Sequence, residues 1–218
     1  MSLTLYYASG ACSFVPHVLL ESLGVPFEPV PVKLHKGEHL GDAYKVINPR
    51  SQVPVLVDGG HTITQIVAIV SYLDACHPQA LVLPSAPLAR ARALEILSWM
   101  NNSAHITFAH IFMPHKFTDE AAAHAAMKTY NQQQYRAVLQ ELQALVTAAA
   151  ANGTGWLDAG QPGALDAYAL TLLRWGTMVG INPQDYPALW AFVQRLAQQP
   201  VVARVIERER LKLNWYEG

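Results

Sequence analysis

Cysteine is nearly absent from this chain: among 218 residues only Cys12 and Cys76 occur. Neither belongs to a Cys-x-x-Cys pair or has the spacing of a zinc set, so neither a disulfide framework nor a zinc module organises the fold. An excess of one charge is missing as well. The 15 Lys and Arg are matched by 16 Asp and Glu, for a formal net charge of −1. With no basic run, a nucleic-acid partner is not expected. No apolar run reaches the roughly 18 residues of a membrane span. The N-terminus lacks a basic segment followed by an apolar one, so neither a membrane partner nor a secretory signal is expected. A reducing, cytoplasmic location is the default for a chain this poor in cysteine. The 9 histidines are scattered. His35/His39 and His110/His115 have no neighbouring cysteine or carboxylate to complete a ligand set, and no metal is expected. What is present is an ordinary globular composition, 51% hydrophobic and 14% charged. It suffices for a sizeable core in one large domain or two small ones.

The first third alternates strand and helix signals. Residues 3–7 read as a strand and 13–23 as a helix stopped by Gly24, a residue suited to the left-handed position after a helix. Phe27 to Val32 interleaves apolar residues with Pro29 and Pro31. Prolines cannot donate to a ladder, so this is an edge strand. Gln52 to Val57 is a further apolar run, Asp58-Gly59-Gly60 a hairpin turn, and His61 to Ile63 the returning strand. Thr64 is placed to N-cap a helix through about Cys76, with Ile66, Ile69, Val70 and Leu73 on one face. The order β-α-β then β-β-α makes a small α/β unit over residues 1–80. Pro78 to Pro87 carries prolines and no periodicity, which gives a linker at 81–88. Residues 89–218 are helical in period. Leu94, Leu97, Asn101, Ala104, Phe108 and Ile111 recur at three- and four-residue steps, as do Val138, Leu142, Leu145 and Ala149. Further helices start near Gly163 and Pro187. The alanine tracts at 121–126 and 148–151 reflect helix propensity.

Two stretches carry chemistry. In Gly10-Ala11-Cys12-Ser13-Phe14-Val15-Pro16-His17 a cysteine falls where a strand turns into the first turn of a helix. Free backbone N–H groups and the positive end of the helix dipole lower a thiol pKa there and welcome an anion. The alternative is a small buried apolar residue. In Asn48-Pro49-Arg50-Ser51-Gln52-Val53-Pro54-Val55 a proline enters a strand. A cis bond at Pro54 would turn the backbone of Val53 outward to pair with an extended peptide; the alternative is an ordinary edge-strand proline.

Taken together, Tyr7, the 10–17 run, Asn-Pro-x-x-Gln-Val-Pro at 48–54 and Val-Ala-Ile-x-x-Tyr-Leu at 67–73 resemble the glutathione transferases, and of these the bacterial, beta-type class. Trp156 to Leu170 is similar to that family's late helix start, with Asp166 behind a capping residue. The resemblance implies a thioredoxin-like α/β N-terminal domain, an all-α C-terminal helical domain and a homodimer that binds glutathione as co-substrate beside Cys12. It implies that Val53, next to a cis Pro54, holds the cysteinyl backbone of glutathione, with Gln52 in the same motif. His105 would lie near the sulfur and the second-substrate pocket, with Asn102 and Ser103 just before it and Tyr7 as a further thiol-activating candidate. Phe108, Ile111, Phe112 and Trp175 are candidate linings for a small apolar electrophile. Cys12 could donate a hydrogen bond or form a mixed disulfide; a non-catalytic binding protein on the same fold is the remaining alternative.

The chain departs from the family at the helix after the hairpin. The usual acidic residue followed by Ser or Gly is here Gln65-Ile66. Gln65 lacks the charge that meets the γ-glutamyl ammonium, and Ile66 lacks a hydroxyl for the α-carboxylate. Glutathione affinity is expected to weaken by on the order of 1–3 kcal/mol. The basic residue for the glycyl carboxylate has Lys36 or His35 as its nearest match. Gly163 stands where a Ser or Thr cap is usual, leaving Asp166 to supply half of a capping box.

Overall fold

The computed structural model describes residues 3–80, 82–152 and 162–217. A four-stranded sheet organises the N-terminal part: β1 (Leu3–Tyr7), β2 (Phe27–Pro31), β3 (Val55–Asp58) and β4 (His61–Thr64), in the order β2-β1-β3-β4. β2 lies at the edge, parallel to β1, and opposes Pro29 to Leu5 and Pro31 to Tyr7. The two prolines thus sit in an edge strand, where they are tolerated. β3 runs antiparallel to β1 and pairs Val55 with Tyr6; β4 returns antiparallel on β3 and pairs Thr64 with Val55.

α1 (Phe14–Leu23) is buried from Phe14 to Leu20 and stops at Gly24, whose φ of 64° needs a residue without Cβ. A short helix, α2 (Asp42–Ile47), precedes β3; the sequence reading does not contain it. α3 (Ile66–Cys76) buries Ile66, Ile69, Val70 and Leu73 as expected. The residue ahead of it is Gln65 rather than Thr64, and it makes no side-chain cap. Thr64 is still paired in β4, so the chain leaves the strand one residue later than expected. The carboxylate of Asp74 then ties the next segment down, accepting from the Leu83 N–H at 2.9 Å and from Arg90 at 2.6 Å.

The C-terminal part is helical: α4 (Pro87–Trp99), α5 (His105–Phe112), α6 (Ala121–Asn152), α7 (Ala164–Met178), α8 (Pro187–Ala197) and α9 (Pro200–Glu209). α7 is its hub. It is buried on almost every face and packs on α1 of the other half. Tyr168, Leu172 and Leu173 of α7 are fully buried, as are Tyr135, Leu139 and Leu142 of α6. The Gly163 N–H bonds to the Asp166 carboxylate at 2.6 Å, the expected half box. Burial pushes the Asp166 carboxyl up to about 7 against the pull of that N–H. The Trp156 end of the late-helix motif lies outside the described residues.

One element breaks the expected periodicity. Between α4 and α5 a turn of π-helix, Met100–Ala104, closes with the N–H of His105 on the carbonyl of Met100. It brings Met100, which lies off the apolar face read from the sequence, into full burial, while Asn101 is only half-buried. Such turns insert an extra residue and re-aim the side chains of the next turn.

Candidate functional site

The sheet register gathers three segments at one end: the loop after β1 (residues 8–13), the turn before β3 (residues 48–54) and the start of α3 at Gln65. The first is closed by Ser13, which is fully buried. Its hydroxyl accepts from the Ala8 N–H at 3.0 Å and donates to the Ala8 carbonyl at 3.2 Å. Ser13 therefore staples the loop that carries Cys12 instead of capping α1. The second segment is built by Asn48, nearly fully buried. Its Nδ2 donates to the Gln52 carbonyl at 2.8 Å, and its Oδ1 accepts from the Arg50 N–H at 3.1 Å. Tyr44 of α2 donates to the same Gln52 carbonyl at 2.9 Å. The Asn-Pro-x-x-Gln-Val-Pro motif is thus a self-braced loop whose product is the backbone of Val53. The Val53–Pro54 peptide is cis.

The two loops meet at Cys12, whose thiol donates to the Val53 carbonyl at 3.6 Å. The thiol does not behave as a helix-start thiol in water would. Burial pushes it up to about 12, outweighing the N–H groups of Cys12 and Ser13 that favour the thiolate, and the charge of Glu209 adds to the rise. Cys12 is a protonated donor in this structure. Tyr7 is buried against the ring of His17, with centroids 4.7 Å apart. Burial, then Glu209, raises its phenol above the usual range, so it too keeps its proton.

The helical part supplies the wall behind Cys12. The indole N–H of Trp175 donates to the Gly10 carbonyl at 2.8 Å. Gly10 has a φ of 70°, and a Cβ there would fall 2.6 Å from the Arg174 guanidinium. On the other side of that peptide, Glu209 accepts from the Gly10 N–H at 2.8 Å, and its second oxygen takes the ring of His17 at 2.7 Å. Ser9 also donates to the Glu209 carbonyl. Arg208, which can only donate, lies 2.9 Å from the other nitrogen of His17. Both His17 and Glu209 are fully buried.

His105 leans edge-on against Trp175 with centroids 4.7 Å apart, and its Nδ1 lies 2.9 Å from the Tyr168 hydroxyl. Cys12 is near enough to Tyr168 to raise its phenol further once burial has done so. Burial pushes the imidazole down to about 4, and the charge of Lys116 acts in the same direction. From this wall Trp175, Phe108 and Phe112 stack outward, 4.4 Å and then 5.3 Å apart, ending on a half-exposed Phe112.

Of the residues expected at the site, Cys12, Val53, Pro54 and His105 converge. Lys36, Gln52 and Gln65 are exposed, Lys36 at the end of a 3₁₀ turn and Gln65 ahead of α3 with φ 72°. Ile66 is buried. Asn102 and Ser103 do not join the Cys12 wall. Both are exposed, and it is Asn101, in step with Leu97 and Ala104, that reaches Tyr168. The sequence reading puts Asn101 on an apolar face without a site role and gives none to Tyr168, His17 and Glu209. A signal existed for the last two: each is a polar residue on the apolar face of its helix, His17 among Phe14, Val18 and Leu20, and Glu209 in step with Val202 and Val205. Among the described residues no group of His, Cys, Asp and Glu could hold a metal ion.

Comparison with known proteins gives one consistent picture. Residues 1–75 match the glutathione S-transferase N-terminal domain and residues 100–200 the glutathione S-transferase C-terminal domain. The chain is 32% identical over 216 residues to glutathione S-transferase GstA of Escherichia coli O157:H7, covering 95% of this chain and 99% of that one. Among solved structures, a bacterial beta class glutathione S-transferase from Sphingomonas chungbukensis superposes with a TM-score of 0.78 at 28% identity, covering 96% of this chain and 100% of the other. A sphingomonad glutathione S-transferase complexed with glutathione does so with a TM-score of 0.71 at 31% identity, with the same coverage.

Proposed function

Because this chain belongs to the glutathione S-transferase family, we propose that it joins the thiol of glutathione to small apolar electrophiles in the cleft between Cys12, Val53 and His105. The observation that carries this reading is the contact of Cys12 with the Val53 carbonyl beside the cis Val53–Pro54 peptide. Val53 offers its backbone to the cysteinyl part of glutathione as an added strand would. The protonated Cys12 thiol donates a hydrogen bond to the glutathione sulfur, which favours its thiolate. Holding that thiolate against an electrophile on the Trp175–Phe108–Phe112 stack supplies the rate enhancement.

A buried thiol held near 12 is a poor attacking group, so glutathione-dependent disulfide exchange through Cys12 is not the reading we favour. At the other end of the cleft, Gln65 and Ile66 receive the γ-glutamyl group without a carboxylate or a hydroxyl, and affinity there is correspondingly weak. Lys36, on the exposed turn after β2, is the residue we assign to the glycyl carboxylate. A homodimer in a reducing, cytoplasmic compartment completes the proposal. Both cysteines being free accords with that location.

The test is conjugation of glutathione to 1-chloro-2,4-dinitrobenzene, followed by absorbance, with calorimetric titration of glutathione in parallel. Enzyme-dependent conjugation that survives in part in Cys12→Ala is the expected outcome. Glutathione binding without acceleration of any apolar electrophile would establish a binding protein instead. Activity confined to disulfides and abolished in Cys12→Ala would establish exchange.

A further inference from the structure

What His105 can do depends on which ring nitrogen carries its proton, and the residues behind it decide that. Nδ1 lies 2.9 Å from the hydroxyl of Tyr168, a fully buried phenol with a single proton to give. That proton has a second claimant in Oδ1 of Asn101, at 3.3 Å. The amide nitrogen of Asn101 points the other way, to Oδ1 of Asn102 at 2.9 Å, which leaves its oxygen toward Tyr168. A carbonyl oxygen only accepts. The phenol therefore donates to Asn101, and its oxygen accepts from the imidazole.

We infer that Tyr168 and Asn101 are positioning residues that hold His105 as the Nδ1–H tautomer, leaving Nε2 as the proton acceptor for the glutathione thiol. Nε2 has no partner among the described residues. Asn101 and His105 stand four residues apart, about one helical turn, and so meet the same phenol from successive turns of one helical segment. The tautomer assignment stands on this geometry alone, while the acceptor role rests on the glutathione reading above. The thiol proton passes to Nε2, giving an imidazolium whose Nδ1–H stays on Tyr168. The sulfur lone pair forms the C–S bond. In an addition, Nε2 returns the proton to the carbanion or enolate so formed; in a substitution, the leaving group departs with the electron pair and the proton goes to water. The resting imidazole is neutral because burial and Lys116 disfavour its charged form, so a proton settles there only together with the thiolate that balances it.

Long-range ¹H–¹⁵N NMR of the ¹⁵N-labelled protein reads the tautomer directly, with His105→Gln identifying the signals. Wild type is expected to show Nδ1–H. Asn101→Ala frees the phenol proton to turn onto Nδ1, so the ring should change to Nε2–H; Tyr168→Phe should give a mixture. In the conjugation assay Asn101→Ala should lower kcat on the order of 10- to 100-fold, the range of a mispositioned proton acceptor, while KM for glutathione stays within about twofold. Nε2–H in wild type, or an unchanged tautomer in Asn101→Ala, overturns the assignment. Should Tyr168→Phe not fold, the half-buried Asn101 variant still decides the matter. Wild type with Nδ1–H but no conjugation overturns the glutathione reading and the acceptor role while leaving the tautomer standing.

Discussion

The two ends of the proposed site are built on opposite plans. At the sulfur end, Cys12, Gly10, His17, Tyr168, Trp175 and Glu209 are buried and interlocked, and their bonds cross from the α/β part to the helical part. At the end proposed for the γ-glutamyl group, Gln65 stands exposed at the tip of a helix, makes no cap and holds a backbone conformation with φ 72° that side chains rarely adopt. The first end draws its precision from packing paid for by the whole fold. The second relies on a single residue with a positive φ, and its side chain is an uncharged amide. Precision located in the core resists substitution locally but fails globally; precision located at a rim can be tuned one residue at a time.

The sharpest way to break the contrast is Glu209→Ala. It leaves the His17 ring and the Gly10 N–H buried without their acceptor, and each buried donor left unsatisfied costs about 1–3 kcal/mol. Denaturant unfolding should show that loss, and a change under about 1 kcal/mol would mean the sulfur end is not interlocked as described. The next effect is in pH. His105 is held near 4 when folded but takes a proton near 6.5 when unfolded. Lowering the pH through that window therefore favours the unfolded chain. Wild type should lose up to about 3 kcal/mol between pH 6.5 and 4 relative to His105→Gln, in denaturant midpoints at matched pH. Equal pH slopes would place His105 in solvent.

At the rim, Gln65→Glu supplies a carboxylate for the γ-glutamyl ammonium of the proposed binding mode. It should tighten glutathione by about tenfold, roughly 1.4 kcal/mol, in calorimetry, with stability unchanged. Unaltered affinity would show that the amide already suffices. The smallest effect is expected at the thiols. With Cys12 buried and held near 12 and Cys76 exposed, iodoacetamide at pH 7.5 should modify Cys76 well before Cys12, as peptide mass spectrometry will resolve. Early modification of Cys12 would show an open, ionised thiol and revive exchange chemistry.

The contrast also marks what was legible in the chain. The sheet's strands, its proline-bearing edge strand, the hairpin and the buried face of α3 come from local rules, turn residues and period, whereas the shared place of Cys12 and Val53 came from the family resemblance. The sulfur wall was only half legible. His105 was placed by resemblance, but the residues it leans on come from α7 and from a π turn that no periodicity announces, since the steps from Leu97 to Ile111 fit an unbroken helix equally well. Asn102 and Ser103 were named by resemblance alone, whereas the periodic steps already put Asn101 on the apolar face, and it is Asn101 that meets Tyr168. The sequence left Cys12 open between an ionised helix-start thiol and a buried apolar residue, because position in a helix is local, whereas burial is a property of the assembled fold. His17 and Glu209 are the converse case. Each breaks the apolar pattern of its own helix, and two such breaks of complementary chemistry in one chain are a reason to pair them.

Gly10 takes hold of the helical half through both polar groups of its backbone, the N–H on Glu209 and the carbonyl on Trp175. The cysteine loop, though it comes directly after β1 in the chain, is thereby anchored to α7 and α9. An indole bonded to that loop is also an optical gauge of it. When the loop shifts, the polarity around Trp175 shifts with it, and the colour of its emission should register an event at the sulfur that has no chromophore of its own.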